Sequence, residues 1–146
     1  MGIRLGMQGR LYRNTGSYAA PVWEPLNNVR DLNLNLEKGE ADVTTRGNNS
    51  WRATAPTLKE GSIEFEMVWD TEDAGFTAIQ QAYFSDGTIE MAIMDGDITA
   101  TGTQGLRATM GVTNFTRNEE LEEAMRASVS MKPAYAANAP AWMNVA

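Results

Sequence analysis

Hydrophobic residues recur at every second position along much of the chain. In residues 63–68 the apolar side chains of Ile63, Phe65 and Met67 alternate with acidic ones. This alternation is typical of a strand that has one face in a core and the other in water. The same period runs through residues 32–36, 89–93, 106–112 and 121–131. We therefore predict a mainly β fold, an antiparallel β-sandwich or barrel of about seven to eight strands.

One segment has a helical period instead. Phe76 and Ile79 begin a series of apolar residues at three- and four-residue intervals. Asp70 or Thr71 would cap the start of such a helix, since short polar side chains accept hydrogen bonds from its first free N–H groups. The sequence therefore predicts one α-helix over about residues 71–84 that flanks the sheet.

A long segment, about residues 40–60, loses the alternation and is predicted to be a loop. Residues 46–50 (RGNNS) are typical of turns, and Trp51 and Arg52 follow immediately. Tryptophan and arginine are enriched at contact hot spots, which favours an interface. The alternative, Trp51 buried under its own loop, stays open.

The C-terminal segment also lacks an amphipathic period. We divide the chain into a β-sandwich domain, residues 1–134, and a C-terminal arm, residues 135–146. Trp142 and Met143 in the arm are costly to leave in water, so we expect them to dock on a neighbouring subunit.

The composition removes most catalytic chemistry. The chain of 146 residues has neither cysteine nor histidine. Thiolate nucleophiles, zinc–thiolate sites and the usual general base are therefore excluded. We predict a protein that is not an enzyme and that needs no cofactor or metal. No apolar stretch is long enough to serve as a membrane anchor.

The net charge is −7, which argues against attractive binding to nucleic acid. The charge is also uneven along the chain. The first residues carry Arg4, Arg10 and Arg13, whereas Glu119 and Glu120 begin an acidic stretch. Two ends of opposite charge would suit head-to-tail stacking of subunits.

The order and spacing of four segments carry a resemblance. They are residues 28–47 (NVRDLNLNLEKGEADVTTRG), 61–70 (GSIEFEMVWD), 112–124 (VTNFTRNEELEEA) and 129–134 (VSMKPA). Within about residues 5–134, this order resembles the major tail tube proteins of long-tailed bacteriophages and phage-like particles. The most distinctive segment is the strand that runs into the glutamate-rich turn near Glu119.

The resemblance implies homohexameric rings that stack into a hollow tube, with one sheet of each copy in a shared barrel around a channel. Polar strand positions would line that channel: Asn33, Asn35, Glu122, Ser128 and Ser130. The 40–60 loop would contact the adjacent ring through Val43, Arg46, Asn49, Trp51, Arg52 and Leu58. DNA would pass without sequence-specific binding, or an effector would be delivered instead.

The resemblance further implies tail sheath, terminator and baseplate proteins as partners. It implies a location in the virion tail or a phage-like particle, after synthesis in the bacterial cytoplasm. The alternative from the residues alone is a monomeric β-sandwich module that binds carbohydrate or protein on a platform of Trp51 and Trp23.

Overall fold

A computed structural model describes residues 3–145, and the secondary structure in that range is mainly β. The strands are β1 (Arg10–Asn14), β2 (Trp23–Pro25), β3 (Val29–Asp42), β4 (Thr54–Val68), β5 (Thr88–Met94), β6 (Gln104–Asn118), β7 (Arg126–Pro133) and β8 (Ala141–Asn144). One α-helix, α1 (Ala74–Ser85), precedes β5, and short 3-10 turns cover Gly6–Gln8 and Arg46–Asn48. The predicted mainly β class with one helix is confirmed.

All strands belong to one antiparallel sheet with the order β2-β1-β5-β6-β7-β4-β3, and β8 pairs with the first residues of β6. The alternating apolar residues of β4 and β7, such as Ile63, Met67 and Met131, are fully buried on one face. Helix α1 has 12 residues, about 18 Å, and cannot cover seven strands spaced about 4.8 Å apart. The sheet must therefore curl over its own core, with α1 closing one side.

Helix α1 begins three residues later than predicted. The side chain of Asp73 accepts a hydrogen bond from the N–H of Phe76 at 2.9 Å and is the true N-cap. Asp70 instead accepts the N–H of Glu72 in the preceding turn. Both aspartates are good capping residues, so the sequence alone did not separate them.

The predicted 40–60 loop is mostly a β-hairpin. β3 continues to Asp42 and β4 begins at Thr54, so only residues 43–53 connect the strands. The outer part of this hairpin is exposed on both faces. Apolar and polar residues alternate along a strand only where one of its two faces is buried. The alternation is therefore absent where neither face is buried.

The C-terminal arm is paired within the chain. Residues 141–144 form β8 against residues 104–107 of β6. Residues 1, 2 and 146, which belong to the predicted domain and arm, lie outside the described residues. The division at residue 134 stays a prediction.

Candidate assembly surfaces

A polar face runs across four neighbouring strands. Asn33 of β3 lies opposite Glu64 of β4, Glu64 opposite Ser130 of β7, and Ser130 opposite Asn114 of β6. These four residues form one row on the side of the sheet away from the core. A second row begins Glu66–Ser128–Thr116, and Asn35 with Ser62 extends the face towards the hairpin. We call this surface the polar face.

The polar face gathers four of the five predicted channel-lining residues. Asn33 and Asn35 are exposed, and Ser128 and Ser130 are half-buried. Glu122 is not on this face, because it lies in the β6–β7 turn after the end of β6. Its predicted position on a strand is therefore wrong: the turn extends to Met125, and the predicted apolar position Leu121 is fully exposed within it.

Ser62, Glu64 and Glu66 of the polar face were not predicted to line the channel, and neither were two residues of β6, Asn114 and Thr116. The register of these two residues depends on an irregularity between Val112 and Asn114, where β6 shifts against β7. After that shift Phe115 takes the core side and its neighbours turn outwards. In the sequence this irregularity is marked by two consecutive polar residues, Thr113 and Asn114, which break the alternation of apolar and polar positions.

The four strands that carry the polar face, in the order β3, β4, β7 and β6, have two free edges. β3 is the last strand in the order, and among residues 3–145 none pairs with its outer side. On the other side, β5 pairs with residues 105–111 of β6 but not with residues 112–118. The polar row thus ends at an unpaired strand edge in both directions. Unpaired edges are liable to pair with another chain.

The β3–β4 hairpin carries the six predicted ring-contact residues, and all are exposed. They are Val43, Arg46, Asn49, Trp51, Arg52 and Leu58. Trp51 is 78% exposed, so the alternative of a tryptophan buried under its own loop is not found. Leu58, 79% exposed, lies on β4 itself. The left-handed conformation of Asn49, with φ of 52°, turns the chain at the tip.

The predicted basic and acidic ends lie at opposite ends of β6. Arg4 donates to the carbonyl oxygen of Gly102 at 3.4 Å, just before β6 begins, and Arg10 lies beside Met94 at the same end. Glu119 and Glu120 directly follow the last residue of β6. The chain therefore has a polar axis along this strand.

Arg13 does not belong to the basic end. It lies inside the sheet opposite Met91 and forms an ion pair with Glu24 at 3.0 Å. The acidic end is partly compensated: Arg117 pairs with Glu119 at 2.6 Å, and Arg126 lies 3.6 Å from Glu120. The Arg117–Glu119 pair is exposed on both sides and contributes little to stability, whereas Arg126 is only 18% exposed.

In the C-terminal arm Trp142 is 57% exposed, and Met143 packs beside a small cluster that includes Tyr12 and Met94. These contacts are within the chain. A further contact of either residue with a neighbouring subunit stays a prediction.

The two tryptophans of the alternative binding platform belong to opposite ends of the strand order. Trp23 is on β2, at one end of the strand order, and lies under the guanidinium of Arg107, 5.1 Å from the ring centre. Trp51 is on the hairpin of β3, at the opposite end of that order. A ligand platform needs its aromatic faces side by side, so the arrangement does not favour a binding module.

No cluster of three metal-ligating side chains occurs within residues 3–145. In the same range, no helix has the length and apolar character needed to cross a membrane.

The fold is similar to solved subunits of tail assemblies. A chain in the tail of an empty GTA particle with C6 symmetry superposes with a TM-score of 0.74 at 16% identity, covering 99% of this chain and 100% of that chain. The SPP1 tail tube gives 0.70 at 16% identity, over 89% of this chain and 75% of the other. A chain of the anti-feeding prophage baseplate gives 0.57 at 10%, over 94% and 91%. At these identities the likeness concerns the fold.

The sequence profile of the phage tail tube protein family matches residues 11–136. The chain belongs to this family, and the resemblance noted in the sequence is confirmed. It is a structural subunit of a tube in a phage or phage-like tail. No curated protein matches the sequence.

Proposed function

We propose that six copies of this chain form a ring and that rings stack head to tail into a hollow tube. The observation that carries this proposal is the row Asn33–Glu64–Ser130–Asn114, which runs between two unpaired edges. If the free edge of β3 pairs with residues 112–118 of the next copy, the row continues from copy to copy. A heterologous contact of this type closes into a ring when the rotation fits.

The size of such a ring suits a conduit. Four strands from each of six copies, the symmetry of the GTA tail, would give a closed barrel of about twenty-four strands. With a spacing of about 4.8 Å and a tilt of about 40°, the backbone diameter is roughly 48 Å. Side chains on the inner wall still leave an open channel. In this arrangement the polar face is the channel wall.

The charge of the polar face suits passage without sticking. Glu64 and Glu66 lie on it with Asp31 beside them, and a guanidinium nitrogen of Arg126 lies 3.8 Å from a carboxylate oxygen of Glu66. Carboxylates repel phosphates, and asparagine and serine side chains offer only exchangeable hydrogen bonds. We therefore propose that DNA, or an effector in an injection device, slides through without sequence-specific binding.

Stacking would use the hairpin and the two charged ends. The tip with Trp51 and Arg52 projects from the body of the subunit, and Arg4 with Arg10 lies at one end of β6. Glu119 and Glu120 of the next ring would face this basic end. Arm residues Trp142 and Met143 would add a contact to a neighbouring copy. Such head-to-tail contacts do not close and so extend into a filament.

The role is structural, without catalysis or cofactor. We propose synthesis in the bacterial cytoplasm, assembly into the virion tail, and contacts of the tube ends or outer wall with terminator, baseplate and sheath proteins. Membership of the tail tube family supports partners of this kind.

Negative-stain electron microscopy of the purified protein tests the proposal. We expect rings or long hollow tubes, with sixfold symmetry in end views. A protein that stays monomeric at high concentration under every salt condition would refute it. The channel wall is tested by coupling a maleimide-gold label to Ser130→Cys, since the native chain has no cysteine. Gold along the tube axis supports the assignment, and gold on the outer wall contradicts it.

A further inference from the structure

Helix α1 ends in an exposed aromatic pair. Phe84 is 75% exposed and Tyr83 is 40% exposed. Their rings meet edge to face with the ring centroids 5.2 Å apart. The ring centroid of Tyr83 lies 6.3 Å from that of Phe115. The ring centroid of Phe115 in turn lies 6.0 Å from that of the buried Phe76. The exposed pair is thus the surface end of an aromatic chain that begins in the core.

This pair lies beside one of the two free edges. Phe115 belongs to residues 112–118 of β6, the half that β5 leaves unpaired. The helix packs on the core side of the sheet, because Phe76 and Ile79 belong to the same core cluster as the apolar residues of β4 and β7. The aromatic pair therefore stands on the core side of an open strand edge.

The opposite free edge carries an apolar row on the same side. Leu32 and Leu34 of β3 pack against the core, and Leu36 continues the row but is 55% exposed. Its cross-strand partner is Gly61, which has no side chain to cover it. Leu36 is therefore an uncovered apolar position on the core side of β3.

The two edges also carry different charge. β3 includes four acids against Arg30 and Lys38; the acids are Asp31, Glu37, Glu40 and Asp42. Residues 112–118 contain one charged residue, Arg117. With Asn33 beside Asn114, residues 112–118 face about residues 29–35 of β3, where Arg30 and Asp31 balance each other. This pairing avoids the repulsion between acids that two β3 edges would bring together.

We propose that Phe84 and Tyr83 of one copy pack onto Leu36 and Leu34 of the next copy around the ring. If residues 112–118 pair with β3 of that copy, the two sheets become continuous, and their core sides lie next to each other. The aromatic end of α1 then covers the leucine row that Gly61 leaves open. This contact would seal the lateral interface under the shared sheet. The inference rests on the proposed ring and names a second copy of this chain as the occupant.

Cross-linking tests this contact in the full chain, which has no native cysteine. The variant with both Phe84→Cys and Leu36→Cys is assembled at a protein concentration high enough to give tubes, because each substitution weakens the contact, and is then treated with a bis-maleimide of short spacer. We expect a ladder of covalent oligomers that ends at the ring size, because each copy would bond to the next. Each single variant should give no species larger than a dimer.

The matched control combines Phe84→Cys with Val22→Cys. Val22 is 59% exposed and lies next to β2, at the far end of the strand order. It should give no ladder. If tubes form but the Phe84–Leu36 variant yields no ladder beyond the control, the lateral contact is refuted while the tube stands. If the unmodified protein forms no rings, the proposed function itself fails.

A second measurement does not depend on cross-linking. Phe84→Ser and Leu36→Ser should leave the thermal unfolding midpoint of the monomer nearly unchanged, because both side chains are largely exposed. Each should raise the protein concentration needed for ring formation by at least about tenfold, as expected for loss of an interface anchor. Assembly at the parent concentration would overturn the proposal.

Discussion

Trp142 of β8 donates its indole N–H to the side-chain oxygen of Gln104, 3.1 Å away at the start of β6. The main chain continues this attachment, since Val145 donates to the carbonyl oxygen of Thr103 at 2.9 Å. Beneath them Met143 lies against the cluster of Tyr12, Ala92 and Met94. The C-terminal strand is therefore held by a half-buried side chain and by backbone pairing.

Shortening that side chain should loosen the strand. Met143→Ala is expected to lower the free energy of unfolding by about 1 kcal/mol, less than a fully buried methionine would cost. Among residues 104–107, amide exchange should accelerate at the positions whose N–H groups point to β8, whereas the alternate N–H groups point to β5 and should change less. Trp142→Phe removes only an exposed hydrogen bond and serves as the control. Equal exchange rates in the two variants would contradict this account of the arm.

Arg107 fastens the segment between β1 and β2. It forms an ion pair with Glu90, donates to the carbonyl oxygen of Tyr18 at 2.7 Å, and lies 3.9 Å from the centre of the Tyr18 ring. The side chains of Arg107 and Glu90 are only 15% and 13% exposed. Arg107→Met should cost about 3 kcal/mol in urea unfolding, because it leaves Glu90 charged without its cation, with only the side-chain amide of Asn14 still donating to it.

The double variant of Arg107→Met with Glu90→Gln provides the control. Removing both charges should restore a large part of the lost stability. If the double variant is as unstable as the single one, the loss comes from packing on Tyr18 and not from the stranded carboxylate.

Gly105 allows β5 and β6 to approach closely. A Cβ atom on Gly105 would lie 1.8 Å from the carbonyl oxygen of Ile93. Gly105→Ala should therefore lower the free energy of unfolding by about 3 kcal/mol or yield insoluble protein. Gly111→Ala, on the same strand with only Ala134 within 4 Å, is the matched control. A soluble Gly105→Ala variant as stable as Gly111→Ala would show that the strands can separate at no cost.

The hairpin tip can be removed without touching the core. Residues 44–52 are replaced by Asn-Gly, so that Val43 and Ala53, which already pair through the N–H of Val43 and the carbonyl oxygen of Ala53, are joined by a two-residue turn. We expect a normal thermal midpoint and single rings in electron micrographs, but no tubes. The single variant Trp51→Ala should shorten the tubes. Tubes of normal length from the replacement would refute the contact between rings.

Two turn carboxylates should give a small dependence on pH. Asp97 has a lowered pKa because it accepts hydrogen bonds from the backbone N–H and then from the hydroxyl of Thr99. The hydroxyl of Thr44 and its N–H have the same effect on the pKa of Asp42.

A lowered folded pKa means that these bonds add stability at neutral pH, which is lost as the pH falls below the ordinary value of 3.8. Unfolding at pH 7 and pH 3 measures the loss. Asp97→Asn should reduce the difference between the two pH values, and an unchanged difference would contradict the assignment.

The sequence by itself determined the alternating strands, the single helix and the tail tube resemblance. Ile63, Phe65 and Met67 could be assigned to one buried face because the side chains of a strand alternate between its faces. The absence of histidine and cysteine is likewise a property of the sequence alone. These features depend on residues close together in the chain.

Only the tertiary structure decided which strands are neighbours. Asn33, Glu64, Ser130 and Asn114 are far apart in sequence, and their common row follows from register across three strand pairs. The pairing of Asn114 with Ser130 depends on a shift of β6 against β7. The period of apolar residues in the sequence does not show where that shift occurs. The outer part of the β3–β4 hairpin, within residues 40–60, was predicted as a loop for a related reason. A strand exposed on both faces has no burial pattern, so its pairing and not its periodicity defines it.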